Sequence, residues 1–142
     1  MKVEFFFPLD EIPRTSAQEK GVRIVRGRPL FYTKDKVQEV AKLYDFMISV
    51  NKPKRKLTGA VRVNVFFYYP VKKPHKCGDP KITRPDVDNM AKLLIDRVTK
   101  SGAFWEDDSQ ISDLRIIKEY AEPSGIGFKA IEIERGGYER ND

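Results

Sequence analysis

Between Thr83 and Asp108 the chain reads TRPDVDNMAKLLIDRVTKSGAFWEDD, with Asp86 and Asp88 two residues apart and Asp107 and Asp108 together further on. Aspartates are hard oxygen donors, and two or three of them can hold a Mg²⁺ ion that keeps several of its waters. A cation held in this way supports phosphodiester hydrolysis: it polarises the phosphate, activates a water and neutralises the leaving oxygen. Lys92, four residues after Asp88, adds a positive charge one helical turn away, where it can contact a phosphate or stabilise charge developing on it. Singly, each piece has a simpler meaning. An Asp at a helix cap with a second in the first turn is common helix-starting chemistry. Asp96 with Lys92 reads as a surface ion pair, and Asp107 and Asp108 as turn residues. It is their combination in one short stretch that points to a cation site.

The elements around these residues must present them. Pro85 restricts Arg84 to extended backbone and makes Asp86 the expected N-cap of a helix that runs to about Ser101, with Gly102 at C′. Side chains at i and i+2 of a regular helix diverge, so the Asp86 carboxylate turns toward that of Asp88 only from the cap. Both lie at the positive end of the helix dipole, which favours their ionised form. Val87, Met90, Ala91, Leu94 and Val98 share one face and are expected in the core, while Asp88, Lys92 and Asp96 form a strip on another. If the chain is extended after Trp105, Asp107 and Asp108 point to opposite faces and only one reaches a cation directly. The expectation is that a neighbouring strand brings this pair back to Asp86 and Asp88.

The rest of the chain supplies a single domain of 142 residues, 40% hydrophobic and 34% charged, which suits a folded protein and excludes disorder and membrane insertion as readings. KVEFFFPL predicts a first strand. TKDKVQEVAKLYDFMISVNK predicts a helix with Val37, Val40, Ala41, Tyr44 and Ile48 inward and Thr33 as its cap, and AVRVNVFFYYPV predicts a strand ended by Pro70. In that strand Phe66 and Phe67 are read as core rather than interface. ISDLRIIKEYAE and GFKAIEIER predict two more strands around a turn at residues 123–127, and residues 136–142 a frayed tail. Residues 10–33 and 71–84 lack a clear period and read as two basic loops. The resulting order is β, loop, α, β, loop, α, β, β, an α+β domain with two main helices packed on a mixed or largely antiparallel sheet.

With 27 Lys and Arg against 21 Asp and Glu, the net charge of +6 favours a polyanionic partner, nucleic acid before a membrane surface. The candidate DNA contacts are Arg14, Arg23, Arg26 and Arg28 in the first loop, and Lys72, Lys73, Lys76, Lys81 and Arg84 in the second. They rest on charge alone, since basic loops are more often plain solvated surface. One cysteine, Cys77, and one histidine, His75, cannot make a disulfide or a structural zinc site, so both read as incidental and the water must be activated by the cation rather than by an imidazole. The absence of a signal or spanning segment predicts a cytoplasmic protein with no membrane partner.

Residues RPDVDNMAKLLIDRVTKSGAFWEDDSQI, Arg84 to Ile111, resemble the RusA family of Holliday-junction resolvases. The shared pattern is D-x-D-N, a lysine four residues after the second Asp, a helix ending in T-x-x-G, and W-x-D-D followed by S/E-Q. The resemblance implies a Mg²⁺-dependent endonuclease, with Mn²⁺ a possible substitute, that acts as a homodimer on four-way DNA in recombination and repair. It implies Asp86, Asp88 and Asp107 as metal ligands and Lys92 as the catalytic lysine, with Asn89 and Asp108 in supporting positions. Two cuts across a junction also call for two-fold symmetry. The alternatives are a nuclease acting on flaps or other branched DNA, and a catalytically silent DNA-binding protein whose aspartates cap and bridge.

Overall fold

The computed structural model describes residues 1–14, 20–33 and 35–136, with the backbone alone for 20–25, 29–33 and 35. Its elements are β1 (Lys2–Pro8), β2 (Lys20–Val25), β3 (Arg28–Thr33), α1 (Asp35–Val50), β4 (Val61–Tyr69), α2 (Val87–Ser101), a 3-10 turn (Asp108–Gln110), β5 (Ile111–Tyr120) and β6 (Gly125–Glu132). Four strands form one mixed sheet in the order β1-β6-β4-β5, as expected for an α+β domain. β6 pairs antiparallel with both β1 and β4, whereas β4 and β5 are parallel.

Alternation in β4 sets the core. Val61, Val63, Val65 and Phe67 are fully buried, and the residues between them face the other way. Phe67 is therefore core as expected, but Phe66 is on the opposite face, half-buried and stacked on Tyr68 at 5.7 Å between ring centroids. Strand period 2 makes this separation unavoidable for adjacent residues. Above the core face, α1 contributes Val37, Val40, Tyr44, Met47 and Ile48. α2 contributes Met90, Ala91, Leu93, Leu94, Ile95 and Val98, a wider face than its sequence period gave. Val87 and Ala41 are only half-buried. Where the helices meet, Arg97 donates two hydrogen bonds to Asp45, at 2.8 and 2.6 Å.

Residues 10–33 are not all loop. β2 and β3 form a two-stranded antiparallel hairpin that is separate from the main sheet. Its turn is Arg26-Gly27, with φ of 52° and 75°. Positive φ at both central residues is the backbone that matches the twist of the flanking strands. Because Arg-Gly replaces the usual Asn-Gly, and Gly21 and Pro29 interrupt the strands, the pattern is hard to see in sequence. Thr33 ends β3 rather than capping α1. The terminal residues 137–142 lie outside the described residues.

Candidate active site

The unit β4, α2, β5 is a parallel pair joined through a helix, so α2 runs back against both strands. Its N-terminus stands at the carboxyl ends of β4 and β5, and its C-terminus at their amino ends. This direction decides where every acidic residue goes.

At the first end, Asp86 occupies the cap position with extended backbone, φ −71° and ψ 138°, and its side chain makes no capping hydrogen bond. Its carboxylate is left to bind something else. Asp88 follows in the first turn, and it and Lys92 are exposed. Neither side chain has a hydrogen-bond or ion-pair partner among the described residues, and Lys92 and Asp96 do not form the expected ion pair. Asn89 is half-buried beside them.

The segment leading to Asp86 is held by β5. Gly78 N–H donates to Tyr120 O at 2.7 Å, Tyr120 N–H to Asp79 O at 2.9 Å, and Lys81 N–H to Lys118 O at 3.1 Å. Residues 78–81 thus cover the outer edge of the sheet, which would otherwise offer unpaired backbone groups. Lys118 then reaches from β5 to the carbonyls of Thr83 and Pro85, at 2.6 and 2.7 Å. Burial and the neighbouring Lys81 lower its pKa, while Asp86 opposes them. Lys118 is absent from the sequence reading. Its signal is a lysine beside Glu119 near the end of the I-I-K-E-Y run of β5.

At the other end, Trp105 is fully buried and its Nε1–H donates to Thr99 Oγ1 at 2.8 Å, so the residues after it start from a fixed point. Asp107 is the N-cap of the 3-10 turn, accepting from Ser109 N–H at 3.1 Å. Those hydrogen bonds from Ser109 lower the Asp107 pKa. Gln110 Oε1 accepts from the N–H groups of Glu106, at 2.8 Å, and Asp107, at 3.2 Å. Its amide donates to the carbonyls of Leu57 and Gly59. Asp108 is exposed, and its side chain has no partner among the described residues.

The two acidic pairs therefore stand at opposite ends of α2, whose 15 residues correspond to about 22 Å at the rise of an α-helix. Among the described residues no three His, Cys, Asp or Glu side chains gather into a group that could hold a metal ion. This corrects the expectation that the following strand returns Asp107 and Asp108 to Asp86 and Asp88. The link after Gly102 is short, so β5 begins where α2 ends. Each end by itself fits a hard cation in donor chemistry, with free carboxylates at an exposed surface, but each supplies only part of a ligand set.

The basic residues divide as well. Arg14, Lys72, Lys73, Lys81 and Arg84 line one cleft that also contains Tyr69, His75, Pro85 and Tyr120. Arg26 and Arg28 are exposed at the hairpin turn and Lys76 is exposed in its loop, while the Arg23 side chain lies outside the described residues. His75 has a packing partner that the sequence does not show: its ring lies parallel to that of Tyr120, 4.2 Å between centroids. Cys77 is exposed and unpaired. No helix among the described residues is long and apolar enough to cross a membrane.

A mixed sheet with a βαβ crossover thus places unpaired aspartates at the start of α2, beside a basic cleft. The chain belongs to the endodeoxyribonuclease RusA family, whose model matches residues 11–133. It is 35% identical over 135 residues to a crossover junction endodeoxyribonuclease of Lactococcus phage r1t, covering 94% of this chain and all of that protein. Crossover junction endodeoxyribonucleases of Escherichia coli K12 and of Enterobacteria phage 82 are each 45% identical over 49 residues, 34% of this chain and 40% of theirs. Enzymes of this class hydrolyse phosphodiester bonds in DNA, which is the chemistry the aspartate motif suggested.

Proposed function

We propose that this protein is a Mg²⁺-dependent resolvase that cuts four-way DNA junctions in recombination and repair, acting as a homodimer. The observation that carries the proposal is the separation of the two acidic pairs along α2 in a chain that belongs to the RusA family. A cation site that is incomplete within one chain is completed by a second copy, with Asp86 and Asp88 of one protomer facing the Asp107–Asp108 pair of its partner. Two-fold symmetry then gives two such sites, the number needed for paired cuts. The likeness to a full-length phage crossover junction endodeoxyribonuclease supports the substrate.

Asp86 and Asp88 would hold Mg²⁺, or Mn²⁺ in its place, together with one carboxylate of the opposing pair. When bound, the cation polarises the scissile phosphate and makes water a competent nucleophile. The chain's own residues do the rest. Lys92, exposed one turn beyond Asp88, neutralises charge on the phosphate. Lys118 fixes the backbone that carries Asp86, and Gln110 fixes the turn that carries Asp107 and Asp108. Asp107 already accepts the cap hydrogen bond, which leaves Asp108 as the less committed carboxylate of its pair.

The test incubates the purified protein with a synthetic four-way junction, a flap and a linear duplex, with and without Mg²⁺, alongside Asp88→Asn. Paired symmetric cuts on the junction, lost without Mg²⁺ and in a variant that still binds, are the expected result. Preference for the flap would change the substrate and keep the site. Binding without cutting in Mg²⁺ and in Mn²⁺ would leave a DNA-binding protein whose aspartates are structural.

A further inference from the structure

The cleft beside Asp86 has a composition that duplex binding does not require. It measures about 650 Å³ and is bounded by the ends of β4 and β5, by residues 10–14 and by the segment that leads into α2. Tyr69, His75 and Tyr120 are among the residues that line it. The Lys81 ammonium lies 4.7 Å from the Tyr69 ring centroid and 5.6 Å from that of Tyr120. Five Lys and Arg side chains line it against the two carboxylates of Asp10 and Glu11, so its balance is positive. Pro85, the residue before Asp86, forms part of its wall.

A duplex keeps its bases stacked on one another and shows a protein its phosphates and groove edges. A basic surface is enough to hold it. Aromatic planes sunk in a cleft, with cations at hand, are instead how proteins hold bases that have left the stack. The volume falls within the range of pockets for small organic ligands, roughly 300–1,000 Å³. Inorganic phosphate would use the cations alone and make no use of the His75 ring.

We propose that this cleft takes one unpaired nucleotide of the strand being cut, its base against the His75 ring and its phosphate on Lys81 and Arg84. His75 suits the role because Tyr120 backs it, so the ring is held flat before the base arrives. Recognition of a branch point follows, since a nucleotide is unstacked there at smaller cost than within linear duplex; the cleft would distinguish junctions from linear duplex. This rests on the nuclease reading, because the cleft is placed by its shared wall with the segment carrying Asp86.

The experiment uses the full chain and a four-way junction with 2-aminopurine at single positions flanking the exchange point, with a dye on a distant arm. Binding is read by dye anisotropy without divalent metal, and base environment by 2-aminopurine emission. With the wild-type protein, emission at one flanking position is expected to change at least twofold while a position deep in an arm stays constant. His75→Ala should abolish that change and weaken binding about 5- to 150-fold, the usual scale for one lost stacking partner. His75→Phe should restore both, which separates a lost ring from a damaged fold. The proposal is overturned if His75→Ala gives the wild-type emission change, or if no flanking position responds while anisotropy reports binding. Cutting of the same junction in Mg²⁺ is scored separately, so a silent cleft in an active nuclease rejects this inference alone. If the junction is not bound at all, the resolvase reading falls, and a trinucleotide containing 2-aminopurine decides the cleft: His75-dependent quenching supports it and none rejects it.

Discussion

The Lys118 ammonium donates to the Pro85 carbonyl at 2.7 Å, tying the residue before the first candidate ligand to the sheet. The same group donates to Thr83 O, so two carbonyls of one bend share one charged donor. Lys118→Met keeps the aliphatic stem and removes both bonds. With the site partly open to water, the stability loss is expected to be about 1 kcal/mol by urea unfolding, below the usual ~1.5–3 kcal/mol for a hydrogen bond to a charged group because solvent screens it. Junction cutting is expected to fall much further, about 10- to 100-fold, because a misplaced ligand costs rate more than it costs folding. Calorimetric Mg²⁺ titration should show the same weakening without DNA. Wild-type cutting in this variant would remove Lys118 from the site.

Asp107 gives a pH signature. Hydrogen bonds from Ser109 favour its ionised form, so its pKa is lower in the folded than in the unfolded chain. Its contribution is therefore complete above the unfolded value, near pH ~4, and is lost as pH falls through the folded value. Asp107→Asn keeps an acceptor at the cap but cannot titrate. The stability curves of wild type and variant should differ above pH ~4 and converge as pH falls below it, through the lowered folded value. Urea midpoints measured across that range check it, and parallel curves throughout would mean that the cap bond is not formed in solution.

The single tryptophan reports on the acidic turn. Trp105 is fully buried, packed against Phe104 and Phe128, and only two residues before Asp107. Trp105→Ala should cost about 3–5 kcal/mol, the usual price of emptying such a site. Trp105→Phe should cost less and still lower Mg²⁺-dependent cutting, since the indole bond to Thr99 that fixes the start of the turn is gone. Thermal melts and cutting rates on the same samples separate the two effects.

Much of this architecture is written locally. The alternation of Val61, Val63, Val65 and Phe67 gives β4 and its buried face, and the pattern from Pro85 to Gly102 gives α2 with both ends, including a C-cap Gly102 at φ 66°. What local pattern does not carry is direction. Seen along the chain, PDVD and WEDD look like two halves of one cluster, but a helix of 15 residues keeps its ends about 22 Å apart. A short link after it leaves the second pair at the far end, so the separation could have been deduced from helix length alone. Lys118 was hidden for a different reason: it acts on backbone groups distant in sequence, which no spacing rule announces. Gln110 was partly legible, since Asp107 and Gln110 have the spacing of a capping box, and only its bonds to Leu57 and Gly59 are long-range. The β2–β3 hairpin was obscured by Gly21, Pro29 and an arginine in its turn.

The separation of the acidic pairs makes the last prediction a matter of mixing. Asp88→Asn and Asp108→Asn are each expected to reduce junction cutting by at least about 100-fold, the scale on which loss of a group that stabilises transition-state charge is felt. If each site draws Asp86 and Asp88 from one protomer and its third carboxylate from the other, a mixed dimer of the two variants contains one intact site and one doubly damaged site. Unfolding and refolding the variants together should therefore recover activity that neither has alone, up to about one quarter of the wild-type site number for random pairing. The recovered activity should consist of single nicks rather than paired cuts, because only one site per dimer works. If instead every site were built within one chain, both sites of the mixed dimer would carry a lesion and mixing would restore nothing. Recovery together with nicking distinguishes a shared site from a simple dependence on dimerisation, which both variants retain.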